Sequence, residues 1–150
     1  MSSSPLGSTT VIQVGIIVRD IESTVQAWTR LLGVPAPEIS ITDSVEKTDA
    51  RYHGQPTTGQ ARLAFIPLGQ VTLELIEPIG EPSTWKEHLD AHGPSLHHIA
   101  FEIDGMAERI AALAELDLAL IQKGEYTGGR YAYLDGQKKY GAVVELLEND

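Results

Sequence analysis

The sequence predicts a single-domain α+β fold in which two βαβββ modules form a curved mixed sheet around a cleft. Two stretches of the chain occur twice: residues 13–20 resemble residues 98–104, and residues 71–77 resemble residues 142–148. The same order of predicted strands and helices also occurs twice. The 150 residues are enough to bury one sizeable core. These observations indicate an internal duplication within one domain.

The repeat also predicts where each part of the chain begins and ends. Residues 1–10 are predicted to form a flexible tail, and residues 11–150 a single domain. Within that domain, module 1 covers 11–78, a connecting helix 83–92, and module 2 96–148.

Module 1 begins with a strand over 11–18, which is rich in β-branched residues. Asp20 caps the following helix and Gly33 ends it. The apolar residues at helical spacing between these two are Ile21, Val25, Trp28, Leu31 and Leu32. An extended stretch over 39–45 and a polar loop over 46–60 come next. The apolar runs 63–66 and 71–76 then predict a hairpin.

The connecting helix is capped by Ser83 and ended by Gly93 and Pro94. Module 2 repeats the plan with a strand over 96–103 and a helix capped by Asp104. The residues of that helix predicted to point inward are Met106, Ile110, Leu113 and Leu116. Strands over 118–121, 131–134 and 142–147 complete the module.

Composition and charge exclude several classes of function. The chain has 11 Lys and Arg against 21 Asp and Glu, a formal charge of -10. This field repels phosphate backbones and disfavours nucleic-acid binding. There is no cysteine, hence no thiolate nucleophile and no thiolate metal site. No apolar run approaches the ~20 residues that span a bilayer, and the start of the chain lacks signal-peptide features. We therefore expect a cytoplasmic protein with no membrane partner.

Four polar residues interrupt the apolar strands at equivalent positions of the repeat. Side chains alternate along a strand, so Gln13, Glu74, His98 and Glu145 are all predicted to point away from the apolar face of their strands. All four are able to bind a metal. A single glutamate in such a strand is usually just exposed to solvent. Because Glu74 and Glu145 are equivalent in the repeat, a shared cleft is the better interpretation.

The plan resembles that of the vicinal oxygen chelate superfamily, and in particular its glyoxalase I and methylmalonyl-CoA epimerase branches. The resemblance extends over 11–148. It is most specific at 96–104, Leu-His-His-Ile-Ala-Phe-Glu-Ile-Asp, and at 143–147, Val-Val-Glu-Leu-Leu. The sequence of 85–93 looks most like the epimerase branch. The resemblance implies paired βαβββ modules and a homodimer.

Carried over position by position, the resemblance implies that Gln13, Glu74, His98 and Glu145 are metal ligands. Gln13 departs from the histidine that the family has more often, although some glyoxalase I enzymes use a Gln/Glu/His/Glu set. The epimerase has an additional catalytic glutamate, and the equivalent position in this sequence is Arg62. This difference argues against methylmalonyl-CoA as the substrate.

This donor set suits one divalent ion, Zn²⁺, Ni²⁺, Co²⁺, Mn²⁺ or Mg²⁺. Such an ion stabilises the negative charge that develops on a carbonyl oxygen when a neighbouring carbon loses a proton. We therefore expect a metal-dependent isomerase, epimerase or lyase of glyoxalase type, acting on a small molecule such as a thioester or hemithioacetal. Glu145 is the expected catalytic base, with Glu74 as a possible second base.

Two alternatives remain open. A small-molecule-binding protein of the resistance type would use the cleft without turnover, although such proteins usually lack the ligand set. A dioxygenase of the same superfamily would need two histidines and one carboxylate, and alternation places His97 on the face opposite His98. Arg62 and Arg130 are candidates for binding an anionic substrate tail, and Tyr131 or Tyr133 for a wall of the cleft.

Overall fold

The computed structural model describes residues 4–150. The described helices are α1 (Ile21–Leu32), α2 (Val45–Thr48), α3 (Thr84–His92), α4 (Met106–Ala114) and α5 (Gln137–Tyr140). The described strands are β1 (Gln13–Ile17), β2 (Ser40–Ile41), β3 (Arg51–Tyr52), β4 (Gln55–Pro56), β5 (Gln60–Leu68), β6 (Val71–Ile79), β7 (Ser95–Glu102), β8 (Ala119–Tyr126), β9 (Gly129–Asp135) and β10 (Val143–Asn149).

The strands form one curled mixed sheet in the order β2-β5-β6-β1-β7-β10-β9-β8-β3-β4. β1 and β7 lie antiparallel in the middle, and each runs parallel to the last strand of its own module. Glu74 on β6 lies opposite Gly15, and Glu145 on β10 lies opposite Ala100. Gly15 lies two positions after Gln13, and Ala100 lies two positions after His98, so the two modules have the same register. This equal register confirms the predicted α+β fold of two βαβββ modules.

Helices α1 and α4 cover the outer face of the sheet, one on each module. The core under α1 consists of Val18, Ile21, Val25, Ala64, Ile66, Leu73 and Leu75. The core under α4 consists of Ile103, Leu113, Leu118, Ala132, Leu134, Val144 and Leu146. The residues on either side of Glu74 and Glu145 belong to these cores. Because side chains alternate along a strand, both carboxylates point to the concave face. On that face α3 packs through Trp85 and Leu89.

Three leucines of the apolar helix patterns predicted from the sequence are exposed: Leu31, Leu32 and Leu116. Leu31 is 75% exposed, because the last buried position of α1 is taken by Thr29, whose hydroxyl donates to the carbonyl of Val25. Leu116 is 40% exposed, because α4 already ends at Ala114.

The polar segment predicted as a loop over 46–60 contains α2 and the β3–β4 hairpin. β3 pairs with β8 of module 2, so a segment of module 1 extends the sheet of the other module. The loop prediction was therefore wrong. Strands of two residues have no readable periodicity, and their hydrogen bonds to a distant strand decide their conformation. The extended stretch predicted over 39–45 contains the short strand β2 and the start of α2.

A matching pair of glutamates caps the two outer helices. Glu77 accepts a hydrogen bond from the backbone N–H of Ile21 at 2.9 Å, and Glu148 accepts one from Gly105 at 2.7 Å. Asp20 caps α1 as predicted. The prediction that Asp104 caps α4 was wrong: the N-cap residue is Gly105, which has no side chain, and the carboxylate of Glu148 accepts the hydrogen bonds instead. Carboxylates suit these positions because helix N-termini carry partial positive charge.

The same two glutamates also bind the two arginines predicted to hold a substrate tail. Arg62 pairs with Glu77 at 3.4 Å and with Glu22, and Arg130 pairs with Glu148 at 3.0 Å and with Asp150. Neither arginine lines the cavity described below. Arg62 instead makes an ion pair near the end of module 1, and Arg130 makes one near the end of module 2.

The described part of the predicted tail lies against α4. Arg109 donates hydrogen bonds to the carbonyls of Ser4 and Pro5, and Leu6 packs on the core under α4. The first three residues of the tail lie outside the described residues. Within 4–150, none of the helices is both long and apolar enough to cross a membrane.

Candidate metal centre

The four polar residues singled out in the sequence meet at one point on the concave face. His98 Nε2 lies 3.2 Å from Gln13 Oε1, 3.3 Å from Glu74 Oε1 and 3.1 Å from Glu145 Oε1. His98 is fully buried, and Glu74 and Glu145 are only 6% and 3% exposed. Isolated carboxylates are rarely buried to this degree without a positive partner. The predicted set is thus brought together in the structure.

The central strands position these residues through their register. On the antiparallel pair β1 and β7, Gly15 lies opposite His98 and Gln13 lies opposite Ala100. A methyl group on Gly15 would be 2.5 Å from His98 Nε2 and closer still to Cε1. Glycine at this position is therefore what leaves room for the His98 ring. The sequence analysis did not predict this role of Gly15, because it depends on the neighbouring strand.

A β-bulge in β7 changes the predicted position of His97. Gly15 pairs with His98 but Ile16 pairs with Leu96, so His97 is an extra residue in the ladder. His97 Nδ1 lies 2.9 Å from His98 Nδ1, and both rings contact Tyr133. The two histidines thus lie on the same side of the sheet. The prediction that alternation separates them was wrong, because alternation fails at a bulge.

Burial and the neighbouring charges shift the proton affinities of this cluster. Burial by itself lowers the pKa of His98, but the carboxylates of Glu145 and Glu74 outweigh it and raise the pKa to about 9. Burial raises the pKa of Glu145, with His98 opposing the effect. Burial, together with the nearby His98, lowers the pKa of His97 well below its usual value. The cluster therefore pairs a protonated His98 with a neutral His97 when no metal ion is bound.

The donor set passes a test of fit for a divalent ion. Ligand atoms of Glu74, His98 and Glu145 all lie within 4.8 Å of one another. Neighbouring ligands of an octahedral ion with bonds of about 2.1 Å are about 3 Å apart, close to the three distances from His98 Nε2. Two carboxylates balance the charge of such an ion. The side-chain amide of Gln13 can serve the site with or without a metal ion. Its oxygen can face the ion. When the amide is rotated by 180°, its nitrogen instead lies 2.9 Å from Glu145 Oε1 and 3.2 Å from Glu74 Oε1, within hydrogen-bonding distance of both carboxylates.

Gln13, Glu74 and Glu145 form the floor of a cavity of about 470 Å³, and the fully buried His98 lies behind them. The apolar and aromatic walls of the cavity consist of Ile41, Leu63, Phe65, Trp85, Tyr126, Tyr131, Tyr133 and Leu147. Among the residues the structure describes, no lysine or arginine lines it. Both tyrosines considered for the wall, Tyr131 and Tyr133, are part of it. Trp85 donates a hydrogen bond to the hydroxyl of Tyr133 at 3.1 Å.

Sequence reasoning missed Phe65, although a signal existed. Residues directly opposite each other on neighbouring strands share a face. Phe65 lies opposite Glu74, and Tyr133 lies opposite Glu145. Each carboxylate is therefore flanked by an aromatic ring from the adjacent strand. Counting the hairpin register back from Glu74 would have found Phe65.

Comparison with known proteins agrees with this fold. The sequence profile of the Glyoxalase/Bleomycin resistance protein/Dioxygenase superfamily matches residues 12–133. The uncharacterized protein YqjC of Bacillus subtilis (strain 168) is 34% identical in an alignment of 92 residues that covers 59% of this chain and 66% of that relative. The chain thus spans just under two thirds of the length of YqjC.

Two solved structures share the fold at low sequence identity. Methylmalonyl-CoA epimerase from Mycobacterium tuberculosis superposes with a TM-score of 0.64 at 17% identity, covering 100% of this chain and 93% of the epimerase. A variant of the Streptomyces coelicolor epimerase, in complex with 2-nitronate-propionyl-CoA, gives 0.62 at 20% identity, covering 94% of both chains. With the profile match over most of its length, the chain belongs to the Glyoxalase/Bleomycin resistance protein/Dioxygenase superfamily, the vicinal oxygen chelate fold.

Proposed function

We propose that the protein is a divalent-metal-dependent isomerase or epimerase, which removes a proton from a carbon next to a carbonyl. The observation that carries this proposal is the placement of two buried carboxylates on one cavity floor. Glu74 comes from β6 and Glu145 from β10, with β1 and β7 between them. The two carboxylates therefore approach the cavity from opposite sides.

Gln13, Glu74, His98 and Glu145 would hold the ion, which is Zn²⁺, Ni²⁺, Co²⁺, Mn²⁺ or Mg²⁺ by the chemistry of the donor set. A bound ion of this kind supplies a Lewis acid that stabilises negative charge on a substrate oxygen. The donors are already close together without the ion, so little rearrangement is needed to bind it.

Glu145 is the base in this proposal. Burial raises the pKa of its carboxyl, which makes its ionised form a stronger proton acceptor than an exposed glutamate. Glu74 is the second acid–base group. For epimerisation Glu74 would first have to take a proton from water. When Glu145 then takes the substrate proton on one side and the protonated Glu74 returns one on the other, the carbon is epimerised, and Glu145 afterwards releases its proton to water. When the substrate proton instead returns to the neighbouring carbon, the result is an isomerisation of glyoxalase type.

The cavity suits the reacting end of a thioester or a hemithioacetal. Its walls are largely apolar and aromatic, and Glu74 and Glu145 are almost fully buried, which strengthens the electrostatic interactions of these carboxylates. Arg62 and Arg130 are bound to carboxylates outside the cavity. A charged substrate tail would therefore remain beyond the cavity.

Exchange of substrate hydrogen with solvent tests this proposal. The protein, loaded with one metal at a time, is incubated in D₂O with methylmalonyl-CoA, other branched acyl-CoA thioesters, and hemithioacetals of methylglyoxal. Mass spectrometry then follows deuterium at the carbon next to the carbonyl. We expect exchange that needs metal, stops in Glu145→Gln, and continues in Glu108→Gln, a control on the exposed surface of α4.

Other outcomes would favour the alternatives. Stoichiometric binding of one of these compounds without exchange or conversion would identify a binding protein and overturn the catalytic proposal. Oxygen consumption with a catechol and Fe²⁺ would instead indicate a dioxygenase. The donor set speaks against that chemistry, because both ring nitrogens of His97 face other protein groups rather than the cavity.

A further inference from the structure

A line of hydrogen bonds joins the metal-binding cluster to the first turn of α3. His98 Nδ1 lies 2.9 Å from His97 Nδ1, and His97 Nε2 lies 3.1 Å from the hydroxyl of Thr84. Both histidines are fully buried, and Thr84 is 5% exposed. None of the four proposed ligands belongs to α3. The helix is nevertheless connected to the cluster, because Thr84 contacts His97, which contacts His98.

The contact between the two Nδ1 atoms has room for one proton, so one ring donates and the other accepts. If a neutral His98 donates, as it must once a metal ion has displaced its second proton, its Nε2 keeps a lone pair that points at Gln13, Glu74 and Glu145. If His97 donates, a neutral His98 keeps its single proton on Nε2, and that nitrogen cannot bind a metal ion. The direction of one hydrogen bond thus decides whether His98 is a ligand.

We propose that His97 is a positioning residue: its Nδ1 accepts the Nδ1 proton of His98 and so keeps His98 Nε2 directed at the cation. The proposal rests on the metal site proposed above. His97 then carries its own proton on Nε2 and donates it to the Thr84 hydroxyl. Ligand histidines generally need such a partner on the second ring nitrogen, and here a neighbouring imidazole takes the place of the usual carbonyl or carboxylate.

The surroundings of His97 hold its ring in this arrangement. The β-bulge turns His97 to the same side as His98. The rings of His88 and Tyr133 pack edge-on against it, with centroids 5.0 and 5.2 Å away. Thr84 is fixed in turn, because its backbone N–H donates to the buried side chain of Gln122 at 2.8 Å. The connecting helix therefore positions a ligand that it does not itself supply.

Metal affinity in matched variants provides the first test. Dissociation constants for Mn²⁺ and Zn²⁺ are measured by competition with a chelator at fixed pH. We expect His97→Leu, which has no acceptor, to weaken binding by about 10- to 100-fold. His97→Asn places an acceptor near the position of Nδ1 and should restore most of the loss. His88→Leu removes a ring that packs on His97 but makes no hydrogen bond to the cluster, and it should weaken binding much less than His97→Leu does.

Nitrogen NMR of the imidazole rings gives a second readout that is independent of metal loading. In the metal-free and the loaded protein, we expect His97 Nε2 to carry the proton and Nδ1 to carry none. A proton on His97 Nδ1 would overturn the proposal. So would equal losses of affinity in His97→Leu, His97→Asn and His88→Leu, which would show a packing role alone. If the wild type binds no metal, the proposed function fails, while the NMR result still decides the role of His97.

Discussion

Metal binding should compete with a proton on His98, and the structure sets the size of the effect. The adjacent carboxylates of Glu145 and Glu74 raise the pKa of His98 to about 9 against the opposing effect of burial. A metal ion must displace the proton from Nε2. Between pH 6.5 and 8 the affinity should therefore rise about tenfold per pH unit, and it should level off above about pH 9. At pH 7 it should be about 100-fold weaker than in the limit above pH 9.

Calorimetric titration with Mn²⁺ in two buffers of different ionisation enthalpy measures this directly. At pH 7 we expect release of about one proton per ion. Glu145→Gln is the informative variant, because it removes one of the charges that hold the proton and should shift the pH dependence to lower pH. A wild-type affinity that changes by less than about twofold between pH 7 and 8 would refute the reasoning.

Three further predictions concern the local structure. Gly15→Ala should weaken metal binding about 100-fold in the chelator assay, because the added methyl overlaps the His98 ring; an affinity within about threefold of wild type would contradict this. The metal-free protein should lose stability as the pH rises from 6.5 through about 9, since the folded state binds the His98 proton more tightly than the unfolded state does; a melting temperature constant over this range would exclude the shift. In chemical denaturation, Leu75→Ala should cost about 3 kcal/mol because Leu75 is fully buried, whereas Leu31→Ala should cost under about 0.5 kcal/mol; a large cost at Leu31 would show that a contact covers it in solution.

Much of the candidate site could be predicted from local periodicity. Gln13, Glu74, His98 and Glu145 each stand alone on the polar side of an apolar strand, and alternation alone gives their common direction. The repeat makes their equivalence visible in the amino-acid sequence. The end caps at Asp20 and Ser83 were also readable, because a cap is a contact between residues three apart in the sequence.

What periodicity could not predict depends on residues distant in the chain. The cap of α4 comes from Glu148, far from Gly105 in sequence. β3 has its conformation because it pairs with β8. Leu31 continues the apolar spacing of α1, yet it is 75% exposed, and the last buried position of the helix is Thr29.

The duplicated βαβββ plan and the four donors follow from the amino-acid sequence, because strand alternation and helix spacing are properties of neighbouring residues. Two other features, the need for glycine at Gly15 and the position of His97 beside His98, arise from tertiary contacts. Both depend on how β1 and β7 pair: the register places Gly15 under the His98 ring, and the bulge in the same ladder reverses the alternation at His97. A strand sequence does not encode the register of its partner, so these features appear only when the two modules are brought together.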